Sequence, residues 1–175
     1  MPIEVWNDGT QSNETRLGAI GDLQFLKKQR SLDAEVLLLA SDNIFEADLA
    51  SFYAFSKENQ AVSLALYDIG DPRLAAGKFG VAEVNSKGQV VRLQEKPVEP
   101  ASSLIATGVY YFPQGSLGLI DAYLNEGNSK DAPGYFIKWL SGRQKVCGYV
   151  FKGVWYDIGD LKALEEANKL FTKIE

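Results

Sequence analysis

The chain has 175 residues, 46% of them hydrophobic and 23% charged, a balance that suits an ordinary folded core. Its net charge of −5 is opposite in sign to the basic surface that nucleic acids or anionic membranes select, so neither is expected as a partner. There is no histidine and one cysteine, Cys147, which excludes histidine-based nucleophilic catalysis, histidine-ligated metals and an internal disulfide.

The elements alternate in type along the chain, read as one domain over 1–175. "PIEVW" (2–6) is short, β-branched and strand-like, and 7–15 is a polar loop. Leu17, Ile20, Leu23 and Leu26 recur at helical spacing within 17–30. "EVLLLA" (35–40) reads as a buried strand, and 48–58 as a helix with Asp48 at its start. A strand at 61–67 and a turn-rich loop at 68–78 follow. "FGVAEVN" (79–85) and "QVVRLQEK" (89–96) flank a glycine-containing turn and predict a hairpin. A strand at 105–112, helices near 115–125 and 133–141, and a strand at 145–152 complete the middle. The last helix, 161–174, carries Leu161, Leu164, Ala167 and Phe171 along one stripe, with Asp160 as its cap. The order predicts an α/β fold with a mixed, mostly parallel sheet flanked by helices, Rossmann-like, whose ligands bind beyond the carboxyl ends of strands.

Three places stand out chemically. Asp42 directly follows the strand at 35–40. Asp157, in "GVWYDIGD" (153–160), follows an aromatic strand-like run and sits too early to cap the last helix. Each aspartate alone reads first as a turn former. If both reach one cleft, they form an oxygen ligand pair that leaves a magnesium ion room for water and phosphate. The third place is "QEKP" (94–97), where Pro97 ends strand pairing and lets Glu95 and Lys96 face one cleft; the simpler reading is an exposed ion pair. Cys147 reads as core filler. The start "MPIEVWNDG" lacks the pattern of a signal peptide, and no apolar run approaches the roughly 20 residues of a membrane span, so a cytoplasmic location is expected.

In their order and contexts, "LLLASDNIF", "FGVAEVNSKGQVVRLQEKP", "IATGVYYF" and "GVWYDIGDLKALEEAN" resemble the sugar-phosphate nucleotidyltransferases, including the glucose-1-phosphate thymidylyltransferase-like and related NDP-sugar pyrophosphorylases. The resemblance implies attack of a sugar 1-phosphate on the α-phosphorus of a nucleoside triphosphate, giving an NDP-sugar and pyrophosphate. It implies that Asp42 and Asp157 hold magnesium and that Lys96 contacts the sugar phosphate. Glu95 would bind sugar hydroxyls, and Gly80, Gly108 and Trp155 would line the same pocket, with Thr107 and Tyr110 as further candidates. Gly18 would lie on the nucleotide side. An attacking phosphate oxygen is already ionised, so the absence of histidine is no obstacle.

The family opens with a Gly-x-Gly-x-Arg-Leu loop followed by Pro-Lys, which together neutralise the triphosphate, and no stretch of this sequence corresponds. The resemblance therefore implies an N-terminally truncated chain, lacking the first βα unit or units, with impaired transfer and exposed strand edges that favour homo-oligomers. Ser41 stands where the family has glycine, and neither Lys130 nor Arg143 has an assignable phosphate role. The alternative is a non-catalytic, sugar-phosphate-binding or regulatory fragment. A metal-dependent glycosyltransferase would carry Asp-x-Asp after the strand, and Ile44 argues against it.

Overall fold

The computed structural model describes residues 3–30 and 33–171. Its elements run α1 (Ala19–Arg30), β1 (Val36–Leu39), β2 (Asn43–Phe45), α2 (Leu49–Asn59), β3 (Val62–Asp68), β4 (Gly80–Val84), β5 (Val90–Glu95) and β6 (Leu104–Phe112). Then follow α3 (Leu119–Asn125), α4 (Pro133–Ser141), β7 (Val146–Val150), β8 (Trp155–Asp157) and α5 (Leu161–Phe171). Short 3₁₀ turns occupy Pro72–Ala75 and Ser116–Gly118.

Six strands form one sheet in the order β5-β4-β6-β3-β7, with β1 also paired to β6. One edge of β6 runs along β3. Its other edge is shared: β4 meets its start (Val81 opposite Ile105), and β1 meets its end (Leu39 opposite Val109). β2 and β8 make a separate antiparallel ribbon, Asn43 opposite Asp157. The α/β character with a mixed sheet is as expected, but the parallel character is smaller. β1, β3, β4 and β7 point the same way, yet β3–β7 is the one parallel pairing among the described strands, because β6 lies antiparallel between the others.

Period-2 alternation assigns the two faces of the sheet. Leu64, Leu66, Tyr110 and Phe112 face the helices α1, α3 and α4, which contribute Ile20, Leu23, Ile120, Tyr123, Phe136, Ile137 and Leu140. Ala65, Val109 and Tyr111 face the other way, onto Phe52 of α2 and Phe151. Cys147 is fully buried within β7, as a small core residue.

Local signals set the helix ends. Asp48 caps α2 by accepting from the Ala50 amide at 2.9 Å, and Asp160 accepts from the Ala163 amide of α5 at 2.8 Å. α1 begins at Ala19, two residues later than Leu17, because Gly18 adopts φ +75°. A Cβ there would lie 2.7 Å from the Lys130 carbonyl oxygen, against which the start of α1 is pinned by Ala19 and Ile20 amides donating to Asp131 and Lys130.

Three expectations are corrected. Residues 3–6 form no strand: Ile3 and Val5 are 90% and 92% exposed, with no partner strand among the described residues. β1 is only half-buried; Leu37 and Leu39 face outward because β6 is its one neighbouring strand among the described residues and its other edge is open. Of the α5 stripe, Ala167 is buried while Leu161 is 79% exposed, since the helix touches the body chiefly through β8. The Phe171 side chain and the end of that predicted helix, 172–174, lie outside the described residues, as does Pro2.

Glu35, at the foot of β1, ties three elements together. Its carboxylate accepts from the Tyr53 hydroxyl, the Lys57 ammonium and the Tyr111 hydroxyl, each at 2.7 Å. These donors, Lys57 foremost, hold its pKa down at about 2. A carboxyl with a lowered pKa contributes stability above its ordinary value and loses it as pH falls through the folded value. Glu35→Gln is therefore expected to lower the neutral-pH Tm by a few degrees, with the difference closing between roughly pH 4.3 and pH 2. Thermal melts across that range check it; parallel pH curves for the two proteins would refute it.

Candidate active site

A cleft of about 280 Å³ opens beyond the carboxyl end of β1 and is lined by Asp42, Asn43, Lys78, Phe79, Gly80, Glu95, Lys96, Gly108, Tyr110, Pro133, Gly134, Trp155 and Asp157, among others. Seven of the expected residues thus meet there: Asp42, Gly80, Glu95, Lys96, Gly108, Trp155 and Asp157. Gly18 does not line it. The neighbouring Ala19 lines a groove that continues the cleft past Asp42, while Gly18 itself packs on the Lys130–Asp131 backbone.

The β2–β8 ribbon brings the two aspartates together. Asn43 is the register partner of Asp157, and the Ile158 amide donates to the Asp42 carbonyl at 2.8 Å. Asp157 is pushed above the ordinary aspartate range, first by burial, then by the Asp42 and Asp160 charges, against a lowering influence of Lys96. A carboxylate raised by burial and by a neighbouring carboxylate in this way is a group that a hard divalent cation would relieve. Among the described residues there is no group of three or more histidine, cysteine or acidic side chains placed to hold a metal.

Lys96 has φ +46°, a left-handed backbone that costs a non-glycine residue about 1 kcal/mol. Adjacent residues of a regular strand face opposite ways. The left-handed turn at Lys96, with Pro97 next, is what lets both Glu95 and Lys96 line one cleft. The Lys96 amide still donates to Phe79 at 3.1 Å, so the hairpin holds the turn. Strain of this kind concentrates where geometry serves a site.

Two glycines make room for the Glu95 carboxylate. A Cβ on Gly80, its cross-strand partner, would lie 2.9 Å from Oε2, and one on Gly134 in the first turn of α4 would lie 1.7 Å from it. Packed against this backbone, Glu95 is raised by burial, with Lys96 opposing the shift. Tyr110 beside it is buried, and burial and the Glu95 charge push its hydroxyl upward. Thr107 offers no free hydroxyl, since Oγ1 donates to Ala65 at 3.0 Å and the residue is buried. Gly108 sits where β6 bulges against β3, at φ +76°, and a Cβ would lie 2.8 Å from the Ala40 Cβ and 3.2 Å from the Asn43 amide nitrogen. Trp155 forms one wall, packed on Phe79 and Tyr67 with ring centroids 5.4 and 6.0 Å apart.

Sequence reasoning missed Asn43, Lys78, Phe79 and Gly134. Asn43 and Phe79 sit next to residues it had named, Asp42 and Gly80, and Lys78 lies one position further out. Gly134 carried a local signal only as the second residue of a helix opening Pro-Gly. Lys130 and Arg143 do not line the cleft: Lys130 supplies backbone to the start of α1, and Arg143 pairs with Glu126 at 3.2 Å and stacks 3.9 Å over Trp139. Among the described residues no helix is long and apolar enough to cross a membrane.

Comparison with known proteins bears on the family and the fold. Glucose-1-phosphate adenylyltransferase of Desulforamulus reducens is 33% identical over 140 residues, covering 76% of this chain and 34% of that protein. The chain thus spans about a third of the length of this curated relative. The fold matches a UDP-glucose pyrophosphorylase solved with UDP-glucose, with TM-score 0.75 and 17% identity over 91% of this chain and 64% of the other. It also matches a Bacillus anthracis protein assigned as a glucose-1-phosphate thymidylyltransferase, solved with sucrose, with TM-score 0.72 and 24% identity over 91% and 63%. The family model for nucleotidyl transferases matches residues 13–174, nearly the whole sequence, and the chain belongs to that family.

Proposed function

We propose that this chain carries the sugar-phosphate and metal side of a nucleotidyl transfer site. In the full reaction an oxygen of a sugar 1-phosphate attacks the α-phosphorus of a nucleoside triphosphate, forming that P–O bond as the bond to the departing pyrophosphate breaks. One observation carries the reading: Asp42, Asp157, Glu95 and Lys96, from three separate places in the sequence, line one cleft.

Roles follow from chemistry and position. Lys96 binds the sugar phosphate as a point charge. Glu95, held between Gly80 and Gly134, accepts hydrogen bonds from sugar hydroxyls, and Phe79 and Trp155 form an apolar wall. Asp42 and Asp157 hold magnesium, which when bound neutralises phosphate charge. The cleft is lined by three carboxylates, Asp42, Glu95 and Asp157, against two ammonium groups, Lys78 and Lys96. An anionic substrate meets net negative charge there unless a divalent cation is present, so sugar-phosphate binding is magnesium-dependent. The nucleophile enters ionised, and catalysis consists of alignment and charge neutralisation.

The adjoining groove past Asp42 has a different lining: Ala19, Leu23, Leu26, Leu38, Leu39 and Tyr110 with the carboxylates of Asp22 and Asp42, and no lysine or arginine. That favours a second reading, in which this chain by itself binds sugar phosphate and transfers nucleotide weakly or not at all. The open edge of β1, with Leu37 and Leu39 exposed, supports pairing between copies.

Calorimetry with glucose 1-phosphate, with and without magnesium, tests the common core, and pyrophosphate release with ATP, dTTP, UTP, GTP or CTP separates the two readings. Magnesium-dependent sugar-phosphate binding is expected, with affinity falling at least tenfold when magnesium is withheld. Absence of sugar-phosphate binding with magnesium present would sink both readings. Turnover would decide for the active one.

A further inference from the structure

Asn43 makes two hydrogen bonds that none of the roles above uses. The Trp155 indole Nε1–H donates to its Oδ1 at 2.9 Å, and its Nδ2–H donates to Asp42 Oδ1 at 2.8 Å. An indole nitrogen can only donate, so the amide orientation is fixed: the oxygen faces Trp155 and the nitrogen faces the carboxylate. Both ends are held. Asn43 pairs with Asp157 in the β2–β8 ribbon, and its amide nitrogen lies 3.2 Å from where a Cβ on Gly108 would sit. Trp155 in turn rests on Phe79 and Tyr67.

We propose that Asn43 is a positioning residue that couples the two halves of the cleft. One amide links the carboxylate offered to the cation with the aromatic wall offered to the sugar. It occupies one oxygen of Asp42 with a donated hydrogen bond, which fixes the carboxylate rotamer and directs the other oxygen's lone pairs elsewhere. A cation drawing on Asp42 changes the strength of the Asn43 bond, and the change reaches the Trp155 N–H through the same rigid amide. Coupling of this kind is reciprocal, so sugar phosphate settled against Trp155 must raise cation affinity by the factor that the cation raises sugar-phosphate affinity. The inference rests on the proposed magnesium and sugar-phosphate site. It adds that the two bind cooperatively and names the residue responsible. A purely structural asparagine in a two-stranded ribbon would affect stability and leave the cooperativity intact.

The test uses the whole chain and two readouts. Glucose 1-phosphate affinity is measured by calorimetry with and without magnesium, and the Trp155 indole N–H is followed by ¹⁵N–¹H NMR during magnesium titration. In the unmodified protein the Trp155 signal is expected to move as magnesium binds. In Asn43→Leu, which keeps size and removes both hydrogen bonds, the signal should no longer respond. Magnesium affinity should fall about tenfold, the loss of one hydrogen bond to a charged group. The factor by which magnesium enhances sugar-phosphate affinity should drop several-fold, whatever the variant's own magnesium-free affinity. Asn43→Ala gives the same reading if the leucine unsettles the ribbon. An unchanged Trp155 response and unchanged enhancement in a folded Asn43 variant would overturn the inference alone. Failure of the unmodified protein to bind magnesium and sugar phosphate would instead overturn the site reading and this inference with it.

Discussion

Gly134→Ala is expected to weaken sugar-phosphate binding about 10- to 100-fold while leaving the fold as stable as before or more so. The added Cβ would fall 1.7 Å from Glu95 Oε2 and 2.7 Å from its Cδ, closer than any real contact. The obstruction is the end of a side chain, so Glu95 rotates away and the backbone stays in place. In the new rotamer its carboxylate no longer occupies the space between Gly80 and Gly134 that presents it to the cleft. Hydrogen bonds to a charged acceptor are worth about 1.5–3 kcal/mol, which corresponds to a loss of roughly 10- to 100-fold in affinity. The helix itself gains, because alanine is favoured over glycine by about 1 kcal/mol in a helix interior, less near its first turn. Calorimetry and thermal melts on one sample check both halves. Undiminished binding in the alanine variant would show that Glu95 has no part in it.

Asp157→Asn is expected to separate stability from metal response. Asp157 is raised by burial and by the neighbouring charge of Asp42. An acid with a raised pKa costs stability when ionised, so the penalty is absent below the ordinary aspartate range, near 3.9, and fully present at neutral pH. The asparagine variant removes that penalty. Without magnesium its Tm at pH 7 should exceed that of the unmodified protein, and the two should converge below about pH 4. With magnesium the order reverses. A ligand at 100 times its Kd stabilises a protein by about 2.7 kcal/mol, or roughly 5–10 °C for a chain of this size, and the variant should forfeit most of that rise. Melts at pH 7 with and without magnesium decide it: an equal magnesium-induced rise in both proteins would remove Asp157 from the metal site.

What the sequence disclosed was mostly local. The β4–β5 hairpin announces itself by two β-rich runs around Lys87 and Gly88, and Asp48 and Asp160 announce their helices by position alone. These features depend on neighbours a few residues away. The half-exposure of β1 could not be read from "VLLLA", because apolar residues look the same whether or not a second strand lies alongside. The same limit applies in the cleft. Asp42, Lys96 and Asp157 stood out through their family context, and the chain does bring them together. Asn43 and Gly134 did not, because each is defined by what approaches it from far along the chain: the Trp155 indole in one case and the Glu95 carboxylate in the other. The turn that aims Glu95 and Lys96 at one cleft was anticipated from Pro97, whereas the left-handed backbone of Lys96 itself was not.

The pairing scheme also fixes the order in which this chain can acquire its cleft during synthesis. Among the described strands β1 has none to join until β6 emerges some seventy residues later, since Leu39 pairs with Val109. Asn43 waits longer still, for a tryptophan 112 residues downstream. Until then the segment carrying Asp42 has only local contacts, and closing so long a span is slow compared with helix or hairpin formation. The nascent chain therefore presents an apolar, unpaired β1 until β6 is made, and the two aspartates meet only once β8 has been delivered.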